Sequence, residues 1–284
     1  MKYNISEDIK SIREILGVSQ DELAKTFDVQ QATLSRNEQS ATEISDQLLE
    51  QVYDFAFKND IKLGKLKEML IRETMKSNHI LLFHGSKSEL KGDISVTKGR
   101  VNNDFGQGFY TGESYDQAVS FVTEFDSSSV YFLDFDETNL ECKKYKVDQD
   151  WMLTIAYYRG TLDEYENHPI IKKLIKESRK CDYIIAPIAD NRMFQIINSF
   201  IAGEITDEQC KHCLAATNLG NQYIFTSEKA AKKIKVLERS YICSKERDYY
   251  KEIKLEDTKL GDDKVKLARR QYRGKGKYID DILK

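Results

Sequence analysis

The chain lacks long hydrophobic runs. No apolar segment approaches the roughly 18 residues that a membrane-spanning helix needs, and the first eight residues hold no apolar stretch that could act as a signal peptide. We therefore expect a cytoplasmic protein without a membrane partner. Among its 284 residues, 40% are hydrophobic and 32% charged, which is typical of a folded, soluble chain and too apolar for a disordered one. This length favours two unequal domains.

Cysteine is scarce. The five cysteines are an odd number scattered along a chain long enough to fold without cross-links, which predicts reduced thiols rather than disulfides. Cys210 and Cys213 have the spacing of half a zinc site, but no second ligand pair follows at zinc spacing. We therefore predict no metal and interpret these two residues as small buried side chains of a helix.

Positive charge is not in excess. The formal net charge of -3 excludes a positively charged nucleic-acid-binding surface over the whole chain, so any DNA binding must be confined to one part of it. The one basic stretch spans residues 264–277. It either holds phosphate groups or forms a solvated tail or helix face.

The first 60 residues have a helical pattern. Apolar residues recur at helical spacing in short bursts across residues 9–57, which predicts a compact helical bundle. Ser19 and Glu22 match a capping box at the start of a second helix. After a turn at Val29, residues 30–38 form a predicted third helix whose exposed side chains can reach base edges and phosphates.

Over about 50 residues this stretch resembles the phage-repressor-like, or XRE-type, helix-turn-helix family. The resemblance rests on residues 12–14, 18–24, 29 and 34–38. It implies operator DNA as a partner, and the side chains that it turns toward the major groove are Gln30, Gln31, Thr33 and Arg36. Asn37 stands where the family usually has an aromatic residue. A structural or partner-docking role for the same helices is the alternative.

From residue 79 onward short apolar runs alternate with helical patterns, which predicts a second domain of mixed α and β structure. Short apolar strands are predicted at residues 80–83, 130–135, 183–187 and 222–225. Helical patterns cover residues 115–125, 150–158, 169–178, 193–202 and 206–216. We thus expect an α+β protein in which a small all-α domain precedes a mixed α/β domain.

The expected domain limits follow from these patterns. Residues 1–60 form the helix-turn-helix domain, and residues 61–76 form an amphipathic helical linker. The apolar face of this helix could also form the interface of a homodimer. The mixed domain spans residues 77–240, and residues 241–284 are a basic C-terminal extension.

A glycine-rich and aromatic segment spans residues 104–112. Gly106 and Gly108 allow unusual backbone angles and the close approach of a ligand, and the rings of Phe109 and Tyr110 follow directly. A phosphate-binding loop is excluded because no third glycine opens a helix and no Gly-Lys-Ser or Gly-Lys-Thr follows.

Three motifs in a fixed order resemble the poly(ADP-ribose) polymerase and diphtheria-toxin branch of ADP-ribosyltransferases, over residues 79–240. These motifs are a strand ending in His84-Gly85-Ser86, the segment 105–110, and the strand at 221–225. The branch is named for a His, Tyr, Glu triad on three strands of a split, mostly antiparallel sheet that clamps NAD. The resemblance therefore implies NAD as a substrate.

The resemblance also assigns roles. His84 would bind the adenine-side ribose, Gly85 would hold the nicotinamide carboxamide with help from Ser86, and Tyr110 would stack on the nicotinamide ring. Further contacts with NAD are expected from Phe105, Gly106, Gly108 and Phe109. From its place after a buried strand, Arg192 could pair with the pyrophosphate, or it could be solvated beside a helix cap at Asp190.

Gln222 occupies the position of the family's glutamate. Its amide can bind a ribose hydroxyl but lacks the negative charge that stabilises an oxocarbenium-like transition state, so polymer synthesis is not expected. A glutamate here is expected to raise NAD cleavage about tenfold. The resemblance implies a mono-ADP-ribosyltransferase toxin of a toxin-antitoxin or phage-defence system, with a macromolecular acceptor and an antitoxin protein as partners. The alternative is a transcriptional regulator that senses NAD without turnover.

Overall fold

The computed structural model describes residues 3–40, 42–216 and 219–283. The outer domain limits predicted at residues 1 and 284 lie outside this range. Within it, the chain forms a bundle of N-terminal helices, a mixed seven-stranded sheet with helices packed on it, and a long C-terminal helix. The predicted α+β class is confirmed. No helix in the described ranges has the length and apolar character needed to cross a membrane.

The N-terminal helices pack around an apolar core that includes Ile12, Leu34 and Val52. In chain order they are α1 (Ile5–Leu16), α2 (Gln20–Thr26), α3 (Gln31–Glu38), α4 (Asp46–Lys58) and α5 (Leu63–Thr74). The capping box predicted for α2 is confirmed, because the Ser19 hydroxyl accepts from the Glu22 N–H and the Glu22 carboxylate accepts from the Ser19 N–H.

A buried carboxylate ties the first three helices together. The Glu38 side chain is only 4% exposed, and it accepts from Arg13 Nε of α1 at 2.6 Å and from Gln20 Nε2 of α2 at 2.6 Å. A buried charge is tolerated only when it is paired and hydrogen-bonded. The inner face of α3 is thereby fixed, and the opposite face is left to solvent.

The sheet is mostly antiparallel and is split in the middle. Its strands are β1 (His79–Ser86), β2 (Phe109–Gly112), β3 (Ser129–Asp136), β4 (Cys142–Lys144), β5 (Tyr183–Pro187), β6 (Asn221–Phe225) and β7 (Ile234–Tyr241). They lie in the order β4-β5-β6-β2-β1-β3-β7, and only β4 and β5 are parallel. β1 pairs with β3 along its whole length but is in register with β2 only at Phe83 and Gly112. The two halves of the sheet are therefore joined at one place.

The remaining helices cover the sheet. They are α6 (Tyr115–Ser120), α7 (Gln149–Tyr158), α8 (Pro169–Ser178), α9 (Asn191–Ile201), α10 (Asp207–Ala215), α11 (Glu228–Ala231), α12 (Ser244–Gln271) and α13 (Ile279–Leu283). The predicted helices are confirmed to within about two residues, except that α6 ends at Ser120 rather than at residue 125. Cys210 and Cys213 are both buried on α10, as predicted.

The C-terminal segment is an integral part of the fold rather than an extension. Ala268 of α12 and Ile279 and Leu283 of α13 are buried in the same apolar core as helices α7 to α10. The sequence predicted a solvated tail or helix face for residues 264–277 because charged residues dominate here, and a few apolar positions at helical spacing are enough to bury one face of α12.

Helix α5, predicted as a linker, packs against both parts of the chain. Lys67 of α5 forms ion pairs with Asp8 of α1 and with Glu238 of β7, each at 2.5 Å. On the other side of the bundle, Glu50 of α4 accepts a hydrogen bond from the Ser244 N–H at 2.7 Å. Because these groups are at least partly buried, they fix the bundle against the sheet and against the start of α12.

The junction between α5, α6 and α12 is closely packed. Gly64 of α5 lies against the ring of Tyr115 of α6, since a Cβ atom at position 64 would fall 2.0 Å from the ring. The Tyr115 hydroxyl donates to Glu246 Oε1 of α12 at 3.1 Å. Burial raises the pKa of Glu246 from 4.5 to about 7, and the hydrogen bond from Tyr115 acts in the opposite direction without cancelling it.

Glu246→Gln is expected to remove a pH dependence of folding. Between pH 4.5 and about 7 the folded state binds more protons at Glu246 than the unfolded state, so stability falls as the pH rises through this window. A glutamine still accepts from Tyr115 and does not ionise, so the variant should be more stable than the parent at pH 8, by up to roughly 3 kcal/mol. Urea unfolding at pH 5 and pH 8 measures the difference, and an equal decline in both proteins would contradict the assignment.

Candidate functional site

A cavity of about 550 Å³ lies at the split in the sheet. Strands β1, β2 and β6 line it, together with residues of α6, the C-cap of α7, the loop after β5 and the segment 89–104. The volume falls within the range of small-molecule sites. His84, Tyr110 and Gln222, one from each of the three strands, all line this cavity.

His84 bridges the two halves of the sheet where the backbone pairing stops. Its Nδ1 lies 2.7 Å from the carbonyl oxygen of Tyr110, and its ring stacks on Phe109 with 4.6 Å between centroids. Since a carbonyl only accepts, Nδ1 carries the proton. Burial lowers the pKa of His84 below 6.5, which keeps the ring neutral at neutral pH. Nε2 therefore has a lone pair that can accept from a ligand hydroxyl.

Tyr110 presents its ring, rather than its hydroxyl, to a ligand. The hydroxyl donates to the Gly106 carbonyl at 2.8 Å and accepts from the Phe105 N–H at 3.1 Å. Burial also raises the pKa of Tyr110 far above its ordinary value. The phenol thus fixes the loop before β2, and its face is suited to stacking against a flat ring.

Gln222 is held with its amide in one orientation. It lies on β6 opposite Gly112, is 8% exposed, and its Nε2 donates to Asp104 Oδ2 at 2.8 Å and to the Pro187 carbonyl at 3.4 Å. Both partners are acceptors, so the amide nitrogen must face them. Within the described part of the chain Oε1 has no hydrogen-bond partner, and it is the atom left for a ligand.

Two charged residues that the sequence did not single out complete the site. Asp104 is 5% exposed and accepts from Arg159 Nε at 2.8 Å and from the Ala189 N–H at 3.3 Å. Arg159 also donates through Nη2 to the Ala189 carbonyl at 2.8 Å. Both charged side chains line the cavity. Arg159 Nη1 has no partner among the described residues and can bind an anionic ligand group.

The predicted NAD contacts divide into two groups. Gly85, Gly108 and Phe109 line the cavity, whereas Ser86, Phe105 and Gly106 do not. Ser86 donates to the carbonyl of Ser88 at 2.7 Å, and Phe105 packs in the core against Tyr145 and Tyr158. Gly106 has a φ of 75° and lies on the Tyr158 ring, so its glycine serves the protein packing rather than a ligand.

Arg192, predicted either beside a pyrophosphate or solvated, does not line the cavity and pairs with α12 instead. Its Nη1 donates to the Thr258 carbonyl at 2.8 Å and lies 3.4 Å from Asp262, both on α12. Asp190 caps α9 by accepting from the Met193 N–H at 2.7 Å, as the alternative interpretation expected. The sequence could not show this because Thr258, the partner of Arg192 on α12, lies 66 residues later in the chain.

The predicted DNA-reading residues lie on α3 and at its N-cap. Gln30, Gln31 and Arg36 are exposed and Thr33 is half-buried. Gln31 Nε2 also donates to Gln20 Oε1 of α2 at 2.6 Å.

Asn37 is buried on the opposite side of α3, where Oδ1 accepts from the Thr42 hydroxyl at 3.1 Å. The hydrogen bond gives this amide a local partner, as a buried polar side chain requires. The departure from the family's aromatic residue therefore lies on the packed side of α3 and leaves its exposed face unchanged.

In the ranges that the structure describes, His, Cys, Asp and Glu side chains do not assemble into a group of three or more that could hold a metal ion. The site therefore consists of hydrogen-bonding groups, one buried ion pair and aromatic faces around a cavity in a split sheet.

The part of the chain that contains the site matches a known protein family. Residues 80–236 match the family described as "Protein of unknown function (DUF3990)", and the match covers more than half of the 284 residues. The chain belongs to this family. The matched span runs from β1 to β7 and contains all five polar side chains described above, whereas the N-terminal bundle and α12 lie outside it. No curated protein and no solved structure matches the chain.

Arg159→Gln is expected to destabilise the protein by about 3 to 5 kcal/mol, because it leaves the buried Asp104 carboxylate without its cation. Arg192→Gln is the matched control, because it removes an ion pair with the half-exposed Asp262. It should lower the free energy of unfolding by about 1 kcal/mol or less. Guanidinium unfolding of both variants measures the difference. Equal losses would show that the Asp104 and Arg159 pair does not support the site.

Proposed function

We propose that this protein is a mono-ADP-ribosyltransferase that uses NAD as its substrate. The observation that carries the proposal is the convergence of His84, Tyr110 and Gln222 on one cavity at the split of the sheet. The order and spacing of these residues resemble the His, Tyr, Glu arrangement of the ADP-ribosyltransferase branch. The split, mostly antiparallel sheet agrees with that fold.

The chemistry of the cavity suits NAD. The face of Tyr110 can stack on nicotinamide, His84 Nε2 can accept from a ribose hydroxyl, and Arg159 Nη1 can bind the pyrophosphate. In the transfer step the bond between the ribose carbon and the nicotinamide nitrogen breaks, and its electron pair leaves with nicotinamide. The acceptor then bonds to the same carbon and releases a proton. Holding the ring flat and the ribose oriented lowers the barrier to this exchange.

The N-terminal bundle supports an additional role in DNA binding. Its α2 and α3 are two short helices joined by a short turn, and the exposed side chains of α3 are Gln31, Arg36 and the small Ala32. We propose that this face binds the operator of the protein's own gene. The resemblance further suggests a toxin with an antitoxin partner, and the surface of the bundle would then serve both contacts.

His84→Ala is expected to weaken NAD binding by more than about 1 kcal/mol, the usual scale for losing one hydrogen bond to a buried polar group. Tyr110→Ala should weaken NAD binding by a similar amount, because it removes the aromatic ring on which nicotinamide would stack. Because protonation would turn Nε2 into a donor, the affinity of the parent should be constant above pH 6.5 and fall only below it. Calorimetry with NAD and an assay of nicotinamide release measure both effects.

His79→Ala is the matched control for His84→Ala. His79 lies on the same strand, but it pairs with Asp134 at 2.6 Å and does not line the cavity. Its replacement should leave NAD affinity unchanged. If the folded His84 variant bound NAD as tightly as the His79 variant, the NAD site would have to be sought elsewhere.

A second candidate function is an NAD-responsive regulator, which one observation favours. Helix α6 touches both the cavity and the bundle side of the molecule. Ala118 lines the cavity, while Asp116 pairs with Lys65 of α5 at 2.9 Å and accepts from the Tyr250 hydroxyl of α12. A ligand that moved α6 would therefore disturb the contacts that hold the bundle in place. The uncharged Gln222 agrees with slow turnover or none.

Arg36→Ala is expected to reduce binding to the DNA upstream of the protein's own gene, because it removes a cation from the exposed face of α3. Arg273→Ala, in the basic C-terminal segment, is the control and should bind as the parent does. Fluorescence anisotropy with and without NAD then separates the two functions. An NAD-dependent change in DNA affinity without nicotinamide release favours the regulator, and nicotinamide release favours the enzyme. DNA binding that depends on Arg273 but not on Arg36 would contradict the role of α3.

A further inference from the structure

We propose that Asp104 is a positioning residue of the NAD site: it supplies the carboxylate that position 222 lacks, and it holds the Gln222 amide with Oε1 toward the ligand. This inference rests on the proposed function. It also explains why an amide, rather than a carboxylate, occupies the third position of the triad.

Asp104 contacts both polar residues that face the ligand side of the cavity. Asp104 Oδ2 accepts from Gln222 Nε2 at 2.8 Å, while Oδ1 accepts from Arg159 Nε, also at 2.8 Å. Both residues that contact the ligand side, Gln222 and Arg159, are therefore held by one buried carboxylate. Because the Asp104 carboxylate can only accept, it cannot tolerate the reverse orientation of the amide.

The charge of Asp104 disfavours a second carboxylate at position 222. A carboxylate at position 222 would bring two negative groups to within hydrogen-bond distance of each other, with Arg159 as the cation that contacts Asp104. Like charges this close cannot both ionise, so one of them would hold a proton or the site would distort. The expectation that Gln222→Glu alone raises NAD cleavage is therefore revised: we expect no gain while Asp104 is present.

Asp104 also increases the acceptor strength of Gln222 Oε1. Donation from Nε2 to an ionised carboxylate polarises the amide and makes Oε1 a stronger acceptor than an isolated amide oxygen. A ribose hydroxyl that donates to Oε1 is then oriented, and part of the negative charge of Asp104 is transmitted toward the sugar carbon on which positive charge develops. The step needs no further co-reactant, since the electron pair leaves with nicotinamide and the acceptor supplies the new bond.

Asp104→Asn should disturb this arrangement. Arg159 requires an acceptor, so the new amide turns its oxygen toward Arg159 and its nitrogen toward Gln222, where the Ala189 N–H loses its acceptor. The new amide nitrogen then requires Gln222 Oε1, whereas the Pro187 carbonyl still requires Nε2, so Gln222 no longer holds Oε1 toward the cavity in a single orientation. The variant should lose turnover at least about tenfold, with an NAD dissociation constant within about threefold of the parent.

The test compares the parent with Asp104→Asn, Gln222→Glu and the double variant Asp104→Asn/Gln222→Glu. In the double variant the asparagine amide can donate to the new carboxylate, and the charge moves to the cavity wall. We expect Gln222→Glu to lower the melting temperature by several degrees without raising nicotinamide release. We expect the double variant to recover the melting temperature and to release nicotinamide at least as fast as the parent.

Asp182→Asn is the matched control for a loss of stability alone. Asp182 lies outside the cavity, where it pairs with Lys229 at 2.9 Å and accepts from Ser227. Its replacement should lower the melting temperature but leave nicotinamide release unchanged. A parallel loss of turnover would mean that the Asp104 effect reflects stability, and it would overturn the inference.

The outcomes separate this inference from the proposed function. Full turnover in Asp104→Asn, a gain in Gln222→Glu alone, or a double variant no better than Asp104→Asn would each overturn the role of Asp104. If the parent and the double variant both failed to bind NAD while the melting temperatures still followed the expected pattern, the proposed function would fail and the pairing of the two positions would stand.

Discussion

The site depends on the buried ion pair between Asp104 and Arg159. Asp104 comes from the loop before β2 and Arg159 from the end of α7, and the pair also binds both backbone groups of Ala189 after β5. An unpaired carboxylate at this depth would cost several kcal/mol, so these three segments must meet. Gln222 joins them through Asp104, which brings β6 into the same arrangement. The cation, the amide and the floor of the cavity are thus fixed by one carboxylate.

The split in the sheet provides the space above this floor. Backbone pairing between β1 and β2 reaches only Phe83 and Gly112, and beyond it the imidazole of His84 takes over as the link to the Tyr110 carbonyl. A side chain that replaces a ladder hydrogen bond leaves room that a paired strand would fill. The ligand-facing nitrogen of His84 is therefore a consequence of where the pairing ends. The same region passes directly into α6, which connects the cavity to α5 and α12.

Sequence reasoning predicted most of the local structure and about half of the site. The capping box at Ser19, the apolar strands and the helices of the mixed domain were predicted correctly because they depend on neighbours in the chain. Strands β2, β4 and β7 were not predicted: β2 and β4 have only four and three residues, which carry too little pattern, and the mostly half-buried residues of β7 form no apolar run. Helix α12 was taken for an extension because its few buried positions are outnumbered by charges.

The missing half of the site depends on contacts that are distant in sequence. Asp104 and Arg159 are separated by 55 positions and Asp104 and Gln222 by 118, so no local pattern indicates that they meet. Arg192 shows the converse, because a strand-end arginine has the right local context for a phosphate, yet α12 packs over it and occupies its guanidinium. The one signal for Asp104 in the sequence is its place directly before the glycine-rich and aromatic segment 105–112, and this place identifies no partner.

We propose that NAD lies in the split of the sheet between His84, Tyr110 and Gln222, and a crystal structure with a non-cleavable NAD analogue would test this placement. We expect a ribose hydroxyl within about 3.2 Å of His84 Nε2, a second hydroxyl at the same distance from Gln222 Oε1, and the nicotinamide ring on the face of Tyr110. Analogue bound outside this cavity, or bound within it with both Nε2 and Oε1 left without a ligand contact, would show that these three residues do not form the NAD site.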